Sequence, residues 1–297
     1  MKQMQGAIAV FIGAASFGIL STFVKKAYKA GFSLGEVTGI QAFLGMIILW
    51  IIFLLMKSTK TDFSKFKRQT PVWKIMIAGI STGIVSVLYY KCVQLVPASI
   101  AIVLLMQFIW ISALINYLFY KIKPTSKQTI GIVLILCATI FATGVMESSV
   151  DNISPVGLFY GLLAALAYAV FIMVNGKVGN DYPPVQKSAY MVTGAFIMIM
   201  LLLQPISLFQ QDVNVEIYKY GLLLAVFGTV LPPFLFAFGM PKIDLSLGSI
   251  LSAVELPVAV TMSYFVLHES VSAMQWFGVL FILSVVVWTN YKRKSSL

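Results

Sequence analysis

The amino-acid sequence predicts an all-α integral membrane fold, with ten transmembrane helices in two inverted five-helix repeats and both termini cytoplasmic. Three observations carry this expectation. Of 297 residues, 60% are apolar and only 10% charged, with a mean hydropathy of +0.94, whereas soluble domains carry about 25% charged residues. The apolar residues fall into ten runs, each close to the roughly 20 residues a helix needs to cross a hydrocarbon core. The basic residues collect in alternate connections between those runs, as residues retained in the cytoplasm do.

Taken in order, the first five runs lie near 6–25, 34–56, 71–91, 98–119 and 127–145. A break at Met146 to Ser154 holds Glu147 and Asp151 but no basic residue. Five more runs follow near 155–176, 185–208, 217–240, 246–267 and 272–291. The expected units are therefore residues 1–146 and 154–297, one five-helix repeat each. With the N-terminus inside, sixteen of the 21 Lys and Arg residues fall on the inner side, including Lys57 to Lys74, Lys121, Lys123, Lys127, Lys177, Lys187 and the Lys292-Arg293-Lys294 end. Five crossings per half make the second half enter from the opposite side, so any repeat is inverted.

Several functions are excluded by composition. The lysines lack the aromatic and polar interleaving of a nucleic-acid surface. One histidine and two cysteines set in apolar runs, Cys92 and Cys137, offer no metal or cofactor site. The first run follows a single lysine and has no small-residue cleavage site, so it reads as mature helix. No cluster of nucleophiles and bases at membrane depth suggests an enzyme.

A faint repeat appears when position n is set against n+148, pairing Gln107 with Glu255, Ser112 with Val260 and Tyr117 with Phe265. After a one-residue slip, Lys127-Gln128-Thr129-Ile130-Gly131 faces Met274-Gln275-Trp276-Phe277-Gly278, sharing Gln and Gly.

Nine of the ten acidic residues lie in loops or near helix ends; Glu255 sits in mid-run. A carboxyl at that depth needs a partner or a wet cavity, so Glu255 is the first functional candidate, the alternative being a protonated side chain bonded to a neighbouring helix. Ser252 and Ser249 precede it on the same helix face, and Pro257 follows, predicting a kink near Glu255. Gln107 and Trp110 share a face at the matching depth of the first half, the indole serving either as ligand contact or as packing. Thr82, Ser86 and Tyr90 form a polar ridge on the third run, with Tyr89 beside it. Tyr168 is the deep tyrosine of the sixth run, on a face shared with Asn175, and Thr229, Pro232 and Pro233 predict an interrupted eighth helix. Gly79/Gly83 and Gly157/Gly161 are small-residue spacings suited to close packing inside the chain.

The stretch Ser252 to Leu283, SAVELPVAVTMSYFVLHESVSAMQWFGVLFIL, resembles the closing part of an EamA-type repeat of the drug/metabolite transporter superfamily. Pro257, Glu269 and Gly278 match that pattern in order, and the two-times-five layout extends the resemblance over nearly the whole chain. The chain departs from it at Lys121 and Ile109, which stand where the helix-end glutamate and the proline are expected in the first repeat, and at Leu256, which separates Glu255 from Pro257. The resemblance implies a bacterial inner-membrane transporter that works by alternating access. Its central cavity would be lined by helices 1, 3, 4, 6, 8 and 9. Amino acids are the first expected substrate and organic cations such as choline, or drugs, the alternative, with protons as a coupling ion through Glu255. The expected partners are a small-molecule substrate and the lipid bilayer, in a monomer or homodimer.

Overall fold

The structure is a computed structural model describing residues 2–59, 63, 66–96, 98–142, 154–209, 215–268 and 270–290. Glu269, the break with Glu147 and Asp151, Lys60, Lys65 and the Lys292-Arg293-Lys294 end lie outside the described residues. Fourteen α-helices follow one another: α1 Lys2–Gly18, α2 Leu20–Lys29, α3 Leu34–Ser58, α4 Val72–Leu95, α5 Ala98–Leu105, α6 Phe108–Tyr120, α7 Ser126–Ala142, α8 Pro155–Lys177, α9 Pro184–Leu203, α10 Glu216–Leu224, α11 Leu231–Gly239, α12 Leu245–Ser252, α13 Glu255–Leu267 and α14 Ala273–Asn290. Four pairs (α1–α2, α5–α6, α10–α11 and α12–α13) run on as single interrupted helices. Among the described residues, eight segments are long and apolar enough to cross a membrane, while α7 and α14 are apolar but shorter.

Local chemistry sets the boundaries. Ser33 and Glu36 form a reciprocal capping box that starts α3. Ser154 caps Gly157 N–H ahead of Pro155 at the start of α8, and Asp244 does the same for Leu247 in α12. The outward faces carry large apolar side chains, among them Ile12, Leu55, Ile77, Phe119, Phe159, Leu201, Phe265 and Leu280. Water would penalise such a surface and hydrocarbon does not.

The two halves repeat at the level of single residues. Gly31 and Gly179 both take positive φ in the loops after the first helix of each half. The broken helices part at Met106-Gln107 and at Ala253-Val254, then end on left-handed residues, Lys121 and His268. Thr125 with Gln128 and Ser272 with Gln275 form matching side-chain and backbone boxes ahead of α7 and α14. That explains the glutamine shared by the two sequence segments. The shared glycine has its own cause: a Cβ on Gly131 would lie 2.5 Å from Thr289, and one on Gly278 would lie 2.3 Å from Ala142. Gly131 and Gly278 are 147 positions apart, as are Ala142 and Thr289. The contact is therefore antiparallel and reciprocal, as a two-fold axis across the helix pair produces.

The small-residue spacings pack within the chain. Gly79 meets the Met191 backbone, Gly194 that of Met76, and Gly161 meets Leu104 and Cys92. Lys187, which the charge pattern treats as a loop cation, is instead buried, its ammonium donating to the Asn175 carbonyl at 2.7 Å and Asn180 Oδ1 at 2.9 Å beyond the end of α8. A lysine reaching the last free carbonyls of a helix satisfies them and the helix dipole together.

Candidate functional site

A cavity of about 40 Å³ lies between the two halves, walled by α1, α2, α4, α5, α8 and α13. Its position follows from three backbone interruptions. At Ile19, α1 gives way to α2, and Gly18 beside it comes so close to α13 that a Cβ would lie 2.4 Å from the Glu255 carbonyl. The α12–α13 break places Glu255 at the first position of α13, with Pro257 in that first turn, where its missing N–H costs nothing. The break expected at Glu255 is thus present. The interrupted eighth helix is present too, as a π-helical turn, Ala225–Val230, before Pro232 and Pro233. Ser16 Oγ donates to the Phe227 carbonyl there at 2.7 Å.

Glu255 faces the cavity and accepts a hydrogen bond from the Tyr168 hydroxyl at 3.1 Å. Around it the lining supplies the rings of Phe17, Tyr89, Tyr90, Tyr168 and Phe171 and the hydroxyls of Ser21, Thr82 and Ser86. Phe108 packs behind Tyr168 with ring centroids 4.5 Å apart, and Phe236 backs Phe171 at 5.5 Å. These rings form a floor under the cavity. Ser86 Oγ donates to the Thr82 carbonyl at 3.3 Å, while Thr82 Oγ1 is buried with no partner among the described residues.

Of the residues singled out from sequence, the structure brings Glu255, Tyr168, Thr82, Ser86, Tyr89 and Tyr90 to one cavity and places Ser252, Gln107 and Trp110 away from it. Ser252 is buried in α12 and bonds its own helix at the Gly248 carbonyl, 2.9 Å away. Gln107 donates to the Val103 carbonyl at 2.9 Å and accepts from Trp110 Nε1 at 2.9 Å, and Trp110 is 42% exposed on the outer surface. The cause is register. The breaks and left-handed caps match at a spacing of 147, so Phe108, not Gln107, is the counterpart of Glu255. One residue turns a helical side chain by roughly 100°. By the same spacing Lys121 answers to His268.

Sequence reasoning missed Gln41. It is buried in α3, accepts the Tyr90 hydroxyl at 2.9 Å and donates to Thr229 Oγ1 at 3.0 Å. It thereby ties the cavity wall to the π turn, and a Cβ on Gly228 or Gly45 would strike this linkage. The available signal was a lone amide in an otherwise apolar run.

The cavity lies near the middle of the crossings, Glu255 standing midway along the Leu245–Leu267 segment. On the N-terminal side helices also approach closely, Gly6 meeting Gly239 backbone to backbone, Gly13 meeting Phe236 and Gly248 meeting Met240, beside a second cavity of about 100 Å³ between Asn116, Met173, Lys177, Met240 and Asp244. The Ser112 and Ser249 hydroxyls bond each other across α6 and α12. The loops of the two halves are pinned there as well. Asp181 accepts from the Gln69 and Thr70 N–H groups, at 2.5 Å and 2.6 Å, and from the Thr70 hydroxyl at 2.6 Å. Partial burial pushes the Asp181 carboxyl up, but these hydrogen bonds outweigh it and hold the group below the usual carboxylate range.

A bundle of apolar-faced helices in two repeats, enclosing a mainly apolar cavity that holds one carboxyl at the helix breaks between them, is the architecture of a multi-pass membrane transporter. The sequence matches the EamA-like transporter family over residues 4–144 and again over 155–291. The chain belongs to that family, one copy per repeat. It is 23% identical to the uncharacterized transporter YcbK of Bacillus subtilis, over 97% of this chain and 93% of that protein. It is 21% identical to the uncharacterized transporter sll1319 of Synechocystis sp., over 98% and 95% respectively. A solved crystal structure shares the fold with a TM-score of 0.76 at 12% identity, covering 97% of both chains. The protein is thus a multi-pass transporter of the cell membrane.

Proposed function

We propose that the chain is a secondary transporter of small metabolites, working by alternating access through the cavity at Glu255. The observation that carries this reading is a carboxyl at membrane depth, hydrogen-bonded to Tyr168 inside a cavity at the junction of the two repeats. Such a group is expensive in hydrocarbon unless it serves a pathway. Counting α7 and α14, the chain makes ten crossings in two inverted repeats, residues 1–146 and 154–297, with both termini cytoplasmic; the distribution of lysine and arginine and the reciprocal α7–α14 contact support that topology.

Substrate binding rests on Glu255, Tyr168, Tyr90 and Ser86, with Gln41 as a positioning residue for Tyr90. Gln107, Trp110 and Ser252 form no part of that cavity. Glu255 also offers a site for a coupling proton, which substrate would displace. The test is transport by purified protein in proteoliposomes under an imposed pH gradient. Glu255→Gln is expected to abolish gradient-driven transport, and full pH-dependent transport by that variant would sink the coupling. Between amino acids and organic cations, the choice turns on the charge of the cavity wall.

A further inference from the structure

Resting on the transporter reading and on the inverted repeats proposed with it, we infer that the opposite state of the protein opens a second substrate-binding site on the N-terminal side. Ser112, Ser249, Ser252 and Asn116 line it, and it takes uncharged hydrogen-bonding groups, hydroxyls and amides.

The pairing of the two broken helices carries the inference. To the Glu255 cavity the α5–α6 helix gives Ile102 and Leu105, and the α12–α13 helix gives Glu255, Leu256 and Ala259. At the spacing of 147 their counterparts are Ser249 and Ser252 in the second helix, and Phe108, Ile109 and Ser112 in the first. All of these counterparts are fully buried, and the Ser112 and Ser249 hydroxyls bond each other. One set of positions is thus open and the matching set is shut. When two inverted repeats of one fold rock about a shared site, each half takes the conformation the other held. The shut set then becomes the open one, on the other side of the helix breaks.

A space already adjoins it. Phe108, Ser112 and Asn116 succeed each other along one face of α6, and Asn116 lines the second cavity. On α8 the two linings are neighbours, Phe171 facing the first cavity and Ile172 and Met173 the second. Asn116 is 3% exposed and makes no hydrogen bond among the described residues. A buried amide in that condition is costly unless a ligand or water meets it.

The serine pair can part at little cost. Ser112 Oγ lies 3.0 Å from the Ile109 carbonyl and Ser249 Oγ 2.9 Å from the Leu245 carbonyl. Each hydroxyl has an acceptor on its own helix, so separation leaves neither donor unpaired. The groups then uncovered are hydroxyls and an amide, which donate and accept but carry no charge. Lys177 and Asp244 stand at the exposed mouth of the second cavity. Deeper in, a hydroxyl or amide of the substrate finds partners, whereas a desolvated ion finds no counter-charge.

The experiment needs no substrate. In the full-length chain, with Cys92→Ala and Cys137→Ala, one cysteine is introduced and the protein is placed in vesicles of both orientations. The probes are methanethiosulfonates of similar reach carrying a trimethylammonium, a sulfonate or a hydroxyl, each rate being divided by that with a free thiol. Ser252→Cys should react with the charged probes from the face bearing the N-terminus, and Ala259→Cys from the opposite face. At Ser252→Cys the hydroxyl probe should be at least about threefold faster than either ion, since it alone keeps no unpaired charge. Adding Ser112→Ala, which removes one partner of the serine pair, should raise the Ser252→Cys rate about two- to fivefold, a modest hydrogen bond's worth, without raising that of Ala259→Cys. Should Ser252→Cys fail to fold, Ser249→Cys takes its place with the same expectations. A buried cysteine that stays inert from both faces, or reacts only from the face opposite the N-terminus, overturns the inference, as does a charged probe that outpaces the hydroxyl one. None of these rates involves transport, so such a result with gradient-driven transport intact overturns this site alone, and with transport absent it counts against both readings.

Discussion

The two broken helices, α5–α6 and α12–α13, share a backbone and differ in what they present. Each parts at the same point of its repeat and ends on a left-handed residue, Lys121 or His268, ahead of a side-chain capping box. Yet the first break puts Phe108 against Tyr168, where the second puts Glu255. Tyr168 is thus held from one half by a ring and from the other by a carboxylate. The duplicated backbone supplies a place for a functional side chain in each half, and only one half fills it with a carboxyl group. The other fills it with packing, which fixes the aromatic floor the carboxyl group works against.

The largest effect should come from that packing. Phe108→Ala removes a fully buried ring from beside Tyr168 and should cost about 3–5 kcal/mol, read as a lower unfolding midpoint in detergent. An unchanged midpoint would mean that the first break is not structural. Next is the approach of α1 to the second break. Gly18→Ala places a Cβ against the Glu255 carbonyl and should cost about 1–3 kcal/mol together with most of the transport; a neutral result would mean that α1 and α13 separate freely there. The pinned loops give a smaller effect that depends on pH. Asp181→Asn should cost about 1 kcal/mol at neutral pH, because a charged acceptor of three hydrogen bonds becomes neutral. The Asp181 carboxyl is depressed in the folded state, so its contribution is complete above its unfolded value of about 3.9 and fades as pH falls through the lower folded value. The gap between wild type and variant should therefore close in strong acid. Smallest is the sequence-matched amide: Gln107→Ala should leave transport within about twofold and stability within about 1 kcal/mol, because this half-buried side chain bonds only within its own interrupted helix. A loss as large as that of Glu255→Gln would restore Gln107 to the pathway.

Much of the architecture was legible in the sequence because the bilayer imposes a simple rule. Run length and composition mark the spans, Pro257 and Pro232-Pro233 mark their interruptions, and a carboxyl at mid-depth marks a cavity. The Gln and Gly of the two closing segments were visible as a repeat, though their causes, a capping box and a reciprocal backbone contact, were not. Tyr168, Tyr90 and Ser86 could be read because each lies on a polar ridge of an apolar helix. Gln41 escaped because only Thr38 accompanies it on its helix face, and it gains meaning from Tyr90 on α4 and Thr229 in the π turn.

What the sequence by itself determined is the set of apolar segments, the duplication and the depth of Glu255, all of which follow from one-dimensional spacing. Tertiary structure alone decided which way each polar group turns. A shift of one residue in register, invisible as a change in composition, swings a side chain from cavity to outer surface. The choice between 147 and 148 is made by where the two helices break and how their glycines let backbones meet.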